Sequence, residues 1–300
     1  MKARIGIIGT GWVGTSVAFS TLLAGHAGEL WLHDQRGDVA EGEAMDLADG
    51  AAFYPRCAVR AVALEQMREA DIVVLAAGRN GRPDESRLDL LRDNARIAAG
   101  IGRTLAGSNA IVIVVTNPVD VLTRVVAEAS GLPPERVIGT GTLLDTARLR
   151  ERLAGRLGLS TQSIHALVVG EHGDSSVMLW SSTRVGGVAL RDWPGWQAEG
   201  EALLAGQVRR AAYEVIRRKG ATNHAIGLVT AELIGCIVND ERRLLPVSRV
   251  QPGGVALSLP ALVGADGALR GVEPAMDIAE RAALNASATL LARAYESLGS

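Results

Sequence analysis

The sequence predicts an α/β fold: a doubly wound parallel sheet up to residue 141, followed by an α+β second half. Three observations carry this. Short runs of β-branched and aliphatic residues alternate with longer helical patterns through the first half. The runs are apolar on both faces, as central strands covered by helices on each side must be. A glycine-rich turn joins the first run directly to the first helix.

Taken in order, residues 5–8 form a strand that enters the glycine turn, and 13–23 a helix. Residues 29–33 are a second strand, ending at Asp34, and 72–76 and 110–115 are two further strands. The second half reads differently. A long helix covers 143–157, and a strand over 164–169 runs into Gly170-Glu171-His172-Gly173-Asp174. Another long helix spans 199–219. Short strands at 244–248 and 255–259 pair around Pro252-Gly253-Gly254, and a final helix runs from about 274 to 298. The change of pattern divides the chain into 1–141 and 142–300, with no flexible linker between them.

Composition narrows the function classes. The 300 residues are 48% hydrophobic and 21% charged, an ordinary globular mix, with a net charge of −2. That balance argues against nucleic acid or an anionic membrane as partner. Glycine is in excess, 35 residues or about 12% against roughly 7% on average, which suggests tight turns and close backbone approach. Only ten residues are aromatic, so aliphatic side chains must fill the core. Cys57 and Cys236 are too few for a disulfide framework or a zinc cluster and read as semi-buried thiols in a reducing compartment, with no metal site. The chain begins directly at its first strand without a cleavable signal pattern, and no apolar run approaches the ~18 residues needed to cross a bilayer. A cytoplasmic location is the expectation.

Gly9-Thr10-Gly11-Trp12-Val13-Gly14 fits G-x-G-x-x-G after a strand and at the opening of a helix. The first glycine permits the turn, the second lets a pyrophosphate approach the backbone, and the third lets helix and strand pack closely. Val13 belongs to the same cradle. The helix N-terminus then favours phosphate charge. Asp34 follows Gly14 by twenty residues at the end of the next strand. An acid there accepts hydrogen bonds from the adenosine ribose and repels a 2′-phosphate, favouring NAD over NADP. Arg36 reads either as a receptor for that phosphate or as a solvated loop charge. The signals together specify a Rossmann-type NAD domain.

Four further segments combine: Asp84-Glu85-Ser86-Arg87-Leu88, Thr116-Asn117-Pro118, Leu144-Asp145-Thr146-Ala147-Arg148 and Gly170-Glu171-His172-Gly173-Asp174. His172 is the only histidine of five set in a glycine-flanked strand end, and its unperturbed pKa near 6.5 suits an acid/base at neutral pH. With these segments the chain resembles the NAD-dependent L-lactate/L-malate dehydrogenase family over nearly its full length, the bacterial lactate branch being the nearer. The resemblance implies an α+β catalytic domain after residue 141 and reversible reduction of pyruvate, or a related 2-keto acid, to the L-2-hydroxy acid. It implies that Asp145 hydrogen-bonds His172 and stabilises its imidazolium, although an Asp at a helix start also serves as an N-cap. Asp145 and Arg148, at i,i+3, share a helix face. Arg148 then clamps the substrate carboxylate through two parallel hydrogen bonds, a geometry lysine cannot copy. Arg87, on a mobile closing loop, polarises the substrate carbonyl. Asn117 contacts nicotinamide and substrate oxygen, unless Asn-Pro marks only a turn.

Substrate choice stays open. The family separates lactate from malate largely at the position of Gly81, where lactate enzymes carry glutamine and malate enzymes arginine. Gly81 is neither; Arg82 beside it can restore a dicarboxylate, and the space can admit a longer side chain. Thr222 matches the threonine of lactate enzymes, which crowds a dicarboxylate and tolerates a methyl. Asn223 and His224 depart from the residues common after it. Pyruvate/lactate therefore leads, ahead of bulkier 2-keto acids and oxaloacetate, with a non-catalytic NAD-binding protein as the contrasting reading. Arg150 and His165 match the pair that binds fructose 1,6-bisphosphate across a twofold axis in allosteric bacterial members; two plain surface residues are the alternative. The same resemblance implies a homo-oligomer, with a tetramer ahead of a dimer.

Overall fold

Strand β1 (Ala3–Ile8) turns through glycines into α1 (Trp12–Ala24), and β2 (Ala27–His33), α2 (Gly37–Asp49), β3 (Ala58–Ala61) and β4 (Ile72–Leu75) follow. Helix α3 (Arg87–Leu105), β5 (Ile111–Val114), α4 (Val119–Ser130) and β6 (Val137–Gly139) complete the first half. The computed structural model describes residues 3–79, 81 and 86–299. The six strands run parallel in the order β3-β2-β1-β4-β5-β6. That is the doubly wound order whose ligand crevice lies beyond the strand ends where β1 and β4 diverge.

Why these segments are strands is visible in their burial. Ile5, Ile7, Leu30, Leu32, Val74 and Ile113 pack on one face of the sheet. Their neighbours Ile8, Trp31, Val73, Leu75 and Val112 pack on the other. Both faces are dry, so runs without polar alternation are the stable choice. Each such fully buried side chain contributes about 1.5–3 kcal/mol. In α3 the residues Leu91, Ala95, Ala98 and Leu105 form the buried stripe.

The second half comprises α5 (Leu143–Leu157), β7 (Ile164–His165), β8 (Val168–Val169), β9 (Val177–Met178), β10 (Arg184–Val185), β11 (Val188–Ala189) and α6 (Glu199–Lys219). Then come α7 (His224–Val238), β12 (Arg243–Val250), β13 (Ala256–Gly264), β14 (Gly267–Gly271) and α8 (Ile278–Glu296). It does not stand apart from the first half. Ser248 of β12 pairs antiparallel with Gly139 of β6, so β12, β13 and β14 extend the parallel sheet to nine strands among the described residues. Helix α7 returns to cover the sheet, with Leu233, Ile234 and Ile237 in the same cluster as Ile5 and Leu30.

Several elements differ from the sequence expectation. The strand expected over 164–169 is two strands in two sheets, β7 pairing β10 and β8 pairing β9. Between them the carbonyl of Ala166 accepts from Arg150 Nε (3.0 Å) and that of Leu167 from the Leu179 amide (3.0 Å), so the chain changes partners. The hairpin around Pro252-Gly253-Gly254 is longer than its expected strands and gains β14, because its apolar residues face a sheet already present. The last helix begins at Ile278 rather than near 274, where Asp277 and Glu280 form a capping box. Arg87, expected on a closing loop, opens α3 directly after the Ser86 N-cap. Cys57 is half-buried, but Cys236, expected to be semi-buried, is fully buried on α7.

Candidate active site

The turn after β1 is built for close approach. Gly9 has φ +96°, and a Cβ there would lie 2.5 Å from the Ala77 amide nitrogen. A Cβ on Gly14 would lie 1.8 Å from the Gly9 carbonyl oxygen, whereas Gly11 faces open space. Gly11 is the N-cap of α1 and supplies no capping side chain, so the first amides of that helix remain for an anion. A cradle with this much room and no side-chain obstruction fits a dinucleotide pyrophosphate.

Asp34, just beyond β2, closes the cradle. Its Oδ2 accepts from the Thr10 amide (3.0 Å) and hydroxyl (3.3 Å), and its Oδ1 from the Arg36 amide (3.0 Å). Arg36 Nε lies 3.6 Å from the same carboxylate, on a side chain otherwise exposed. Burial alone would raise the proton affinity of Asp34, but these hydrogen bonds and the Arg36 charge hold it below the usual carboxylate range. Asp34 is therefore a fixed negative charge.

A cavity of about 410 Å³ opens beside the cradle, and Val13, Gly81, Asn117 and Thr222 all line it. Two residues that sequence reasoning missed shape its wall. Asn94 is buried; its Oδ1 accepts from the Arg79 amide (2.9 Å), and its Nδ2 donates to the Asn117 carbonyl (3.4 Å). Arg79 donates from Nε (2.9 Å) and Nη2 (2.5 Å) to Asp93 Oδ2. The signal for Asn94 was its place in the apolar stripe of α3, where a buried amide needs a structural purpose. Arg82 and the side chain of Arg87 lie outside the described residues.

The second cluster is acid–base in character. Thr142 is the N-cap residue of α5, which places Asp145 in the first turn and removes the alternative that Asp145 is the cap. Thr142 Oγ1 donates to the Val168 carbonyl (2.5 Å) and Thr146 Oγ1 accepts from the Val168 amide (3.0 Å), fastening this helix end to β8. Immediately after β8, Gly170 exchanges backbone hydrogen bonds with Ser258 of β13 (2.8 and 2.9 Å). These ties deliver His172 to Asp145. His172 Nδ1 lies 2.6 Å from Asp145 Oδ2, and Arg148 Nη1 donates to Asp145 Oδ1 at 3.0 Å.

One buried carboxylate thus holds a histidine and an arginine at once. Burial would push the Asp145 carboxyl up, but the charges and hydrogen bonds of His172 and Arg148 hold it below its ordinary value. For His172 burial disfavours the imidazolium, yet the charge and hydrogen bond of Asp145, with the charge of Asp120, raise its proton affinity. Donating to Asp145 keeps Nδ1 protonated and leaves Nε2 as the nitrogen free for chemistry.

Arg150 and His165 are neighbours without sharing a pocket. The Arg150 hydrogen bond to the Ala166 carbonyl sets it beside β7, where His165 is exposed. Arg150 and Arg243 line a groove of about 790 Å³ that His165 does not. Among the described residues Arg150 has no ion-pair partner, and burial together with the Arg243 charge lowers its proton affinity. No described helix is long and apolar enough to cross a membrane.

Comparison with known proteins gives a consistent result. Residues 3–139 match the family profile of the lactate/malate dehydrogenase NAD binding domain, and 142–298 that of the lactate/malate dehydrogenase alpha/beta C-terminal domain. The chain is 43% identical over 302 residues to an L-lactate dehydrogenase of Salinibacter ruber, covering 97% of this chain and 96% of that one. It is 43% identical over 310 residues to one of Thermus aquaticus, with 99% of each covered. A ligand-bound crystal structure of a minor L-lactate dehydrogenase from Enterococcus mundtii superposes with a TM-score of 0.95 at 37% identity, over 99% of this chain and 98% of that one.

Proposed function

The chain belongs to the lactate/malate dehydrogenase family and uses NAD, and we propose that it is an L-lactate dehydrogenase that reduces pyruvate with NADH. The observation that carries the reading is the Asp145 carboxylate shared by His172 and Arg148. On this reading residues 1–141 hold the cofactor and 142–300 supply most of the substrate chemistry. The bound dinucleotide supplies the hydride. Gly9, Gly11, Val13 and Gly14 cradle it, Asp34 receives the adenosine ribose, and Asn117 stands at the nicotinamide end. Protonated His172 donates from Nε2 to the keto oxygen, and Asp145 stabilises the imidazolium before that transfer. Arg148 has N–H groups beyond the one given to Asp145, and these receive the substrate carboxylate. Arg87 supplies a further positive charge at the carbonyl.

Two features favour a monocarboxylate. Thr222 lines the cavity, and Arg79, the cation on its described wall, is already paired with Asp93. Gly81 leaves space, although a Cβ there would approach Leu90 to 3.2 Å, so side chains somewhat longer than methyl form the second reading. Arg82 carries the oxaloacetate reading. NADH oxidation with pyruvate, 2-ketobutyrate, 2-ketoisocaproate and oxaloacetate tests these together. Pyruvate is expected to give the highest kcat/KM; faster turnover of oxaloacetate overturns the lactate assignment, and no turnover with any keto acid overturns the enzyme reading.

The family resemblance and the half-buried charge of Arg150, which has no ion-pair partner among the described residues, support fructose 1,6-bisphosphate as an effector, held by Arg150 and His165 between subunits of a cytoplasmic homotetramer. The same assays should show a lower KM for pyruvate when it is added. An Arg150→Gln/His165→Gln enzyme that retains full activation would exclude the site.

Cofactor choice yields a separate expectation. Asp34→Ser removes the fixed charge facing the ribose, so the ratio of kcat/KM for NADH over NADPH should fall about tenfold or more. An unchanged ratio would show that Arg36 or the cradle, not Asp34, sets the preference.

A further inference from the structure

Asp120 is a buried carboxylate to which the reaction described above gives no role. It sits in the first turn of α4, three residues after Asn117, and is 2% exposed. Its Oδ2 accepts the backbone amide of His172 at 2.7 Å, across 52 positions of sequence. The hydrogen bond links the helix that begins at the Asn117 strand end to the residue proposed as the acid. A backbone carbonyl would satisfy that amide as well. Burying a carboxylate for the purpose is unfavourable unless a positive charge nearby compensates it. Ser248 lies beside the carboxylate, yet Asp120 Oδ1 and Ser248 Oγ complete no well-aligned hydrogen bond. The cation Asp120 faces is the His172 imidazolium, whose proton affinity it raises through its charge.

We propose that Asp120 is a positioning residue of the keto-acid reduction: it fixes the His172 backbone against the Asn117 strand end and supplies a second carboxylate that favours the imidazolium. The inference rests on the acid role proposed for His172. The groups involved come from three elements. Asp120 faces His172 and Glu171 of the loop after β8 and Ser248 of β12, while His172 also faces Asp145 and Arg148 of α5. Burial pushes Asp120 up to about 6, against the opposing influence of Ser248, the His172 amide and the imidazolium. Its charge is therefore present at pH 8 and declines as pH falls through about 6.

Asp120→Asn separates geometry from charge, because the amide is isosteric and its oxygen still accepts from His172. Pyruvate reduction needs protonated His172, so activity is present below the His172 pKa and lost as pH rises through it. Removing the Asp120 charge should move that alkaline limb to lower pH. The expected loss in kcat/KM for pyruvate is roughly three- to tenfold at pH 8 and less than twofold at pH 6. NADH affinity should not change. Asp120→Ala removes the acceptor too and should lower kcat further at every pH. In parallel, an NMR titration of histidine-labelled protein, with His172 assigned from a His172→Gln sample, should show His172 titrating at lower pH in Asp120→Asn than in wild type. An unshifted His172 titration with a wild-type pH profile overturns the proposal. So does an equal loss for both variants at every pH, which is the mark of structural support alone. Failure of the wild-type enzyme to turn over any keto acid would instead overturn the reaction, and the NMR comparison would still report whether Asp120 and His172 are linked.

Discussion

Replacing His172 with glutamine should lower kcat for pyruvate reduction by about 10²–10⁴-fold, the usual contribution of a positioned general acid. The side chain remains polar and near in size, and NADH affinity should stay within about twofold, because His172 lies outside the glycine cradle. Stopped-flow reduction alongside a fluorescence titration of NADH separates the two quantities. A loss below about tenfold in kcat would mean that water or another group delivers the proton. The wild-type pH profile has a determined sign. The His172 proton affinity is raised once Asp145 and Asp120 outweigh burial, so keto-acid reduction persists to higher pH than an unperturbed histidine would allow. Oxidation of the hydroxy acid needs the neutral ring and should rise through the same pH interval.

The second large effect concerns Arg148. Arg148→Lys keeps the positive charge but loses the planar fork, and at least one charge-assisted hydrogen bond to the substrate carboxylate goes with it. Such bonds are worth roughly 1.5–3 kcal/mol each, so KM for pyruvate should rise about ten- to hundredfold or more. NADH affinity should be unaffected. The variant also disturbs Asp145, which accepts from Arg148 Nη1 at 3.0 Å, so a smaller fall in kcat should accompany the rise in KM. Equal losses of pyruvate and NADH affinity would show that Arg148 supports the fold rather than the substrate.

These residues were legible to different degrees. The glycines, Asp34 and the apolar strand runs announced the parallel sheet, because a strand buried on both faces and a turn with no Cβ leave direct marks in sequence. Asp120 left no such mark: in Val119-Asp120-Val121 it reads as an ordinary acid in a helix's first turn. Asn94 likewise reads as a blemish in an amphipathic stripe. Both owe their place to partners far along the chain, and no local pattern encodes those. The break of 164–169 into β7 and β8 has the same origin, since the partners of Ala166 and Leu167 come from α5 and the segment after β9.

By itself the sequence determined the glycine turn and the doubly wound order of elements, and only the family resemblance grouped His172, Asp145, Arg148 and Asn117 as one expected chemistry. Periodicity, glycine geometry and residue type are short-range properties, so a linear chain displays them. Only the tertiary structure decided that the second half continues the first half's sheet through β12. It also decided that Arg79 is committed to Asp93 and that a second buried carboxylate reaches the His172 backbone. Those facts depend on which groups meet when the apolar faces are buried, and on the charges that then stand close together in a medium that screens them poorly.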